Sequence, residues 1–327
     1  MEGKLDVAYT SGVIAVREKY LLKDKIFRFC ESTAEEVFRA LLENGFGGGL
    51  ETATSVHDFE KLIAVEEEKI DAFIREYAPS NFEIKYLLAF RDFHNAKTLI
   101  KSAITGEDIS DALLPSGQIP ITTLQACVQS ADFSALEKIC APLKSVCEEV
   151  TSLAEEERTG AQIGVRFERA QYEYLYALVK RRKTLKNLLV QKADMTNILT
   201  VLRAGNFDKA KEHLLPFGKV ADTQLALLID GDTQAVRSAF LKTPYLRFVE
   251  ECLRAKEQGV PFTQAEKLRD EYDTVYFAKR KYDLKKNEPF LYYVYRRKTE
   301  CVNVRIILVC LLAGLNEQEI KRRIRNF

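Results

Sequence analysis

The 327 residues suffice for two or three domains with substantial cores. Lysine and arginine number 49 against 48 aspartate and glutamate, so no overall charge draws the chain to nucleic acid or an anionic membrane. Seven cysteines, odd in number and without a CxxC pair, read as reduced core thiols of a cytosolic protein rather than a disulfide framework.

Apolar residues recur at spacings of three and four and strand-like alternation is scarce, so an all-α fold is expected. Met1 to Asp6 is polar and charged, unlike a cleavable leader. Tyr9 to Leu22 reads as an opening helix. Ser32-Thr33-Ala34-Glu35 resembles a capping box launching a helix through Val37, Leu41 and Leu42, ended by the glycines at 45–49. Ser55 to Tyr77 is a further helix, followed by another from Asn81 to Thr105.

Pro115, Gly117 and Pro120 mark a first boundary. A short helix begins near Thr122, with a second at Asp132 to Leu136. Arg166 to Leu189 reads as one long helix, and Pro216-Phe217-Gly218 closes that section. The last section passes Pro244, Pro261 and an aromatic stretch from Tyr272 to Tyr282. It then enters a rod from Asn287 to Leu315, about 39 Å long between the Asn287 cap and the Gly314 exit. From Val302 onward the rod is apolar nearly all round, so it should lie inside other helices. A short helix from Asn316 to Ile324 ends the chain.

Three of these helices share a signature. Asp92-Phe93-His94-Asn95, Asp194-Met195-Thr196-Asn197 and Glu300-Cys301-Val302-Asn303 each place an acid three positions before an asparagine, at spacings of 102 and 106 residues. Apolar positions agree around them, and Lys101 and Arg203 close the first two frames. The third has Ile306 in place of Thr and Val309 in place of the cation, with Arg305 inside its frame. An independent match aligns Thr122–Cys127 with Asp222–Leu227. A period this long exceeds solenoid units, so three similar helical domains are expected at 1–114, 115–216 and 217–327. The matched residues Asp92, Asn95, Asp194, Asn197, Arg203, Glu300, Asn303 and Arg305 are expected to act in packing, because a buried amide usually satisfies neighbouring backbone groups.

No reaction centre assembles from the sequence. The glycines at 45–49 are followed by Leu50-Glu51-Thr52 and Gly218-Lys219 by Val220, so neither makes a phosphate-cradling loop; a plain flexible loop is expected at 45–49. His57, His94 and His213 lie at no metal-ligand spacing, and no cofactor or metal is expected. Glu66-Glu67-Glu68 and Glu155-Glu156-Glu157 read as solvated faces. Basic runs at Lys180–Lys183, Lys279–Lys281 and Arg296–Lys298 lie near tyrosines, an arrangement that can serve single-stranded nucleic acid. Acids punctuate the same helices, so exposed faces or a protein contact fit them better. Residues 217–327 carry 21 basic against 15 acidic side chains and the remainder 28 against 33, an asymmetry that ordinary solvated helix faces account for. The longest uncharged apolar run, Ile306 to Leu315, is far short of a bilayer span.

The opening Tyr9…Ala15-Val16-Arg17-Glu18…Leu21-Leu22, the Asn95 and Asn197 signatures and the ending Glu288-Pro289…Tyr293…Lys298-Thr299-Glu300…Asn303-Val304-Arg305-Ile306-Ile307…Leu312…Gly314-Leu315…Glu319-Ile320 resemble the C subunit of the V/A-type rotary ATPases, counterpart of the d subunit of the eukaryotic vacuolar ATPase. The resemblance covers nearly the whole chain. It implies a funnel of three helical domains with pseudo-threefold symmetry and a central cavity. It also implies a non-catalytic rotor part on the cytoplasmic side of a membrane, with the central stalk and the proteolipid ring as partners and no cofactor. A helical scaffold with unrelated partners is the alternative.

Overall fold

The computed structural model describes residues 6–22, 24–49, 53–108, 112–283 and 286–327. Met1–Leu5 and Leu50–Thr52, read above as part of the polar opening and as the residues after the glycines, lie outside the described residues. Every regular element among the described residues is helical. The chain divides into two compact units, one made of Met1–Glu83 with Glu250–Phe327 and the other of Ile84–Val249.

In the first unit, α1 spans Val7–Arg17, α2 Lys25–Phe29, α3 Ala34–Glu43 and α4 Phe59–Tyr77. Thr33 and Glu36 form the reciprocal cap of α3, each side chain binding the other residue's N–H, which satisfies two donors the first turn leaves open. The glycines that follow are no plain flexible loop. Phe46 and Gly47 are buried, Gly47 has φ 70°, and a Cβ there would meet the Leu62 backbone at 2.6 Å. Only glycine allows that approach to α4.

Helix α5 spans Asn81–Thr105 and belongs to the second unit from Ile84 onward. There it joins α6 (Ile121–Ser130), α7 (Glu137–Ser152) and α8 (Gly160–Leu178), followed by α9 (Lys183–Ala204), α10 (Phe207–Lys211), α11 (Asp222–Asp230) and α12 (Thr233–Phe240). Phe93, Ile100, Leu124, Phe133, Leu143 and Phe167 share one core. The segment expected as a short helix at Asp132–Leu136 is a single 3₁₀ turn, Ser134–Leu136, running into the longer α7. Helix α7 accommodates Pro142 because Cys140 leaves helical geometry (φ −154°, ψ 86°), which removes the usual clash with the preceding turn.

The single helix expected from Arg166 to Leu189 is two. Val179 caps α8 and is fully buried, and the three cations Lys180, Arg181 and Arg182 turn out into solvent before α9 begins at the exposed Lys183.

Helix α13 spans Leu246–Gln258 and belongs to the first unit from Glu250. It is followed by α14 (Thr263–Asp270), α15 (Tyr272–Ala278), α16 (Glu288–Leu312) and α17 (Glu317–Arg323). Helix α16 packs against α1, α2, α3, α4, α15 and α17, so the first unit is built around it. Two expectations for it are corrected. Asn287 does not cap it; its amide donates to Glu83 Oε1 at 2.6 Å instead. Its C-terminal half is not enclosed on all sides, since Val302, Val309 and Leu312 share an exposed stripe. The buried majority lies toward the N-terminus, where Phe290 to Val294 are all inside.

Candidate functional site

Acid-x-x-Asn puts two polar side chains on one helix face, a turn apart. In α5, Asn95 is fully buried. Its Nδ2 donates to the Leu114 carbonyl at 2.8 Å, and its Oδ1 accepts the Leu114 N–H at 2.8 Å. In α9, Asn197 does the same to Leu215, at 3.0 and 2.7 Å. In α16, Asn303 does it to Arg325, at 2.9 and 2.7 Å. A carboxamide carries the same donor and acceptor pair as a peptide group, so each asparagine closes a two-bond ring on one backbone unit. Each ring ties the chain leaving the helix back onto it 18 to 22 residues later.

The acids extend two of the three clamps. Asp92 Oδ1 accepts the Ile119 N–H at 3.0 Å and Asp92 Oδ2 accepts from Gln118. Asp194 Oδ1 accepts the N–H groups of Lys219 and Val220 at 2.6 and 2.9 Å, while Tyr245 donates to its other oxygen. Between the two grips lie Leu114-Pro115-Ser116-Gly117 and Leu215-Pro216-Phe217-Gly218, in which Ser116 and Phe217 take φ 67° and 69°. A Cβ on Gly117 or Gly218 would sit 2.5 or 2.7 Å from the aspartate oxygen, so glycine is required where the carboxylate reaches the backbone. This twice-used Leu-Pro-x-Gly, 101 residues apart, is a sequence signal that the helical signatures alone passed over.

Glu300 behaves differently. Its Oε1 accepts the N–H of Leu22 at 3.0 Å, and it pairs with Arg297 at 3.2 Å and Arg296 at 3.5 Å. Arg297 also pairs with Glu66, which accepts from the Gly47 N–H at 2.9 Å and from Lys69. Glu66, read above as part of a solvated acidic face, is therefore a buried ion-pair partner between the glycine turn and α16. Burial pushes the Glu300 carboxyl up from the ordinary range, opposed by the guanidiniums of Arg297 and Arg296 and by the Leu22 N–H. In the third clamp Glu271 takes the part the aspartates play elsewhere, accepting the Asn326 N–H at 2.9 Å.

Two named positions stand apart from these networks. Arg203 is exposed at the end of α9. Arg305 is partly exposed and forms a two-pronged pair with Glu60 of α4, at 2.9 Å from each guanidinium nitrogen used. His94 lies half-buried, its Nε2 2.9 Å from the Ala112 carbonyl. A cleft of about 500 Å³ opens beside the ionic cluster, with Arg17, Phe46, Lys69, Phe73, Tyr293 and Arg297 in its wall. Among the described residues no group of His, Cys, Asp and Glu is placed to hold a metal ion, and no helix is long and apolar enough to cross a membrane.

These features define an all-helical protein whose buried polar groups are spent on fixing backbone and joining helices. The chain belongs to the ATP synthase (C/AC39) subunit family, whose model matches residues 10–323. It is similar to the C subunit of the V-type sodium ATPase of Enterococcus hirae, at 20% identity over 331 residues, spanning 94% of this chain and 92% of that protein.

Proposed function

We propose that this chain is a non-catalytic central-rotor subunit of a V/A-type ATPase, joining the central stalk to the proteolipid ring during ATP-linked transport of H⁺ or Na⁺. The observation that carries this reading is the family match over residues 10–323, nearly the whole chain, together with a relative of similar extent. The physical demand of the role is stiffness, because a compliant connector would store torque as strain. Closely packed helices resist compression, and the three asparagine clamps fix the chain path at points where a helical protein would otherwise be most free. Under this reading the matched residues Asp92, Asn95, Asp194, Asn197, Arg203, Glu300, Asn303 and Arg305 are structural. The repeats 1–114, 115–216 and 217–327 would close as a funnel that receives the foot of the stalk. The protein would sit peripherally on the cytoplasmic side of the membrane sector and contact no nucleic acid.

The test is affinity isolation of detergent-solubilised membranes through a tag on this chain. A small proteolipid and a coiled-coil stalk protein should co-purify in constant proportion, and the isolated chain should hydrolyse no ATP. Recovery of neither component, or robust ATP turnover by the pure chain, overturns the assignment.

A further inference from the structure

Helix α1 buries Thr10 and Ile14 and lies against α16, yet its opposite face is exposed and bears no charge. From Val7 to Val16 the sequence contains no acidic or basic residue, in a chain that is 30% charged. Tyr9 and Val16 are 56% and 63% exposed, and Tyr20, in the turn after the helix, is 61% exposed. With the half-buried Val13 these fall at spacings of four, three and four, the seam by which one helix packs along another. Ala8, Gly12 and Ala15 flank the seam and are exposed, and nothing lies within 4 Å of a Cβ at Gly12, which leaves room for a close backbone.

The seam runs into the cleft, where Val16 and Tyr20 form part of the rim. Arg17, Lys69 and Arg297 face that cleft, and Glu66 is the one carboxylate among its described lining residues. Glu66 is shared by Lys69 and Arg297. The Arg17 guanidinium lies over the rings of Phe73 and Tyr77, at 5.2 and 5.0 Å, and pairs with no carboxylate among the described residues. The cleft thus presents unneutralised positive charge at the end of an uncharged apolar seam.

We propose that α1 and this cleft form one docking surface for an α-helical protein segment. Its apolar residues would recur at three and four to lie along Tyr9, Val13, Val16 and Tyr20, and acidic side chains at one end would enter the cleft. The favoured occupant is a helix because the seam has helical spacing and, although Lys69 is exposed, Arg17 and Arg297 are recessed in the cleft; a flat lipid surface could cover the tyrosines but could not reach those two guanidiniums. The inference goes beyond the rotor reading, since it specifies the chemistry of the partner and not the complex that supplies it.

The experiment places p-benzoylphenylalanine at Val16 of the full-length chain in its own cells, with Val260 as an exposed control site. After irradiation, the crosslinked segment is sequenced by mass spectrometry. An adduct from position 16 on an acidic, amphipathic helical segment, absent from position 260, is the expected result. The Arg17→Gln/Lys69→Gln double substitution should lower its yield about fivefold without changing helix content, and Val16→Glu should abolish capture of the same segment by the unlabelled tagged chain. No adduct, an adduct on lipid, on a second copy of this chain or on a basic segment, or a yield indifferent to the double substitution, overturns the proposal. The two readings fail separately: an acidic helix from outside any ATPase supports the docking surface while contradicting the rotor role.

Discussion

Replacing Asn197 by alanine removes both bonds to Leu215 and puts nothing in their place. The side chain is 4% exposed and both Leu215 groups are buried at the contact. Each unpartnered backbone group costs about 1–3 kcal/mol, so Asn197→Ala, which leaves two, should destabilise the second unit by about 2–6 kcal/mol, water entry setting the lower end. Asn197→Asp keeps the shape but loses the donor. It sets a carboxylate oxygen against the Leu215 carbonyl, one turn from Asp194. That repulsion raises the new carboxyl's pKa in the fold above its unfolded value, so the variant should regain stability as pH falls through that raised value, the gain being complete by the unfolded value near about pH 4. Urea denaturation followed by circular dichroism gives the loss, and hydrogen exchange at the Leu215 amide assigns it to the clamp. An Asn197→Ala chain within about 0.5 kcal/mol of the parent, with Leu215 exchange unchanged, would refute the reasoning.

Arg297→Ala removes the guanidinium shared by Glu66 and Glu300, which are 2% and 0% exposed, leaving Glu66 with Lys69 and the Gly47 N–H and Glu300 with Arg296 and the Leu22 N–H, and should cost about 3 kcal/mol in thermal or denaturant unfolding; a loss under about 1 kcal/mol would mean that the remaining partners and water replace the guanidinium at little cost. The seven thiols are all buried, and burial pushes Cys30 and Cys140 up to about 11 and raises Cys127, Cys147 and Cys301 as well. Ellman's reagent at neutral pH should therefore titrate none of them in the native chain and all seven in denaturant. The Thr33 N–H bond holds Glu36 below the ordinary carboxylate value, as Lys61 does Asp58 and the Ser134 N–H does Asp132. A carboxyl depressed in the fold adds stability above its unfolded pKa and loses it as pH falls, so these turn and helix starts should loosen below about pH 4. Glu36→Gln should flatten that part of a far-ultraviolet acid titration.

Local signals were legible where they sufficed. The helix expected over Asn81–Thr105 has those limits, while the cap expected in Ser32-Thr33-Ala34-Glu35 lies one residue on, between Thr33 and Glu36, because either neighbour could supply the same pair of groups. Helix α7 was hidden by Pro142, whose tolerance depends on one extended residue, Cys140. The break before Lys183 was hidden because apolar spacing continues across it while the charges that turn outward carry no helical period. For the polar signature, residue type and spacing marked Asn95, Asn197 and Asn303, but their partners are peptide groups with no side-chain mark. Arg297 and Glu66 are 231 positions apart, a pairing that only the packing of α16 on α4 creates.

Because the asparagines hold main chain, the identity of the held residue is free: Leu114, Leu215 and Arg325 occupy the same place in their rings. A fastening of this kind dictates where the polypeptide runs while leaving its outward chemistry open to change. Three stretches can then follow like paths while one offers the stacked Phe217 and Tyr176 rings and another the Arg325 pair with Asp270. Under the function proposed above, a chain that must meet unlike neighbours could be diversified at such places without loosening its frame.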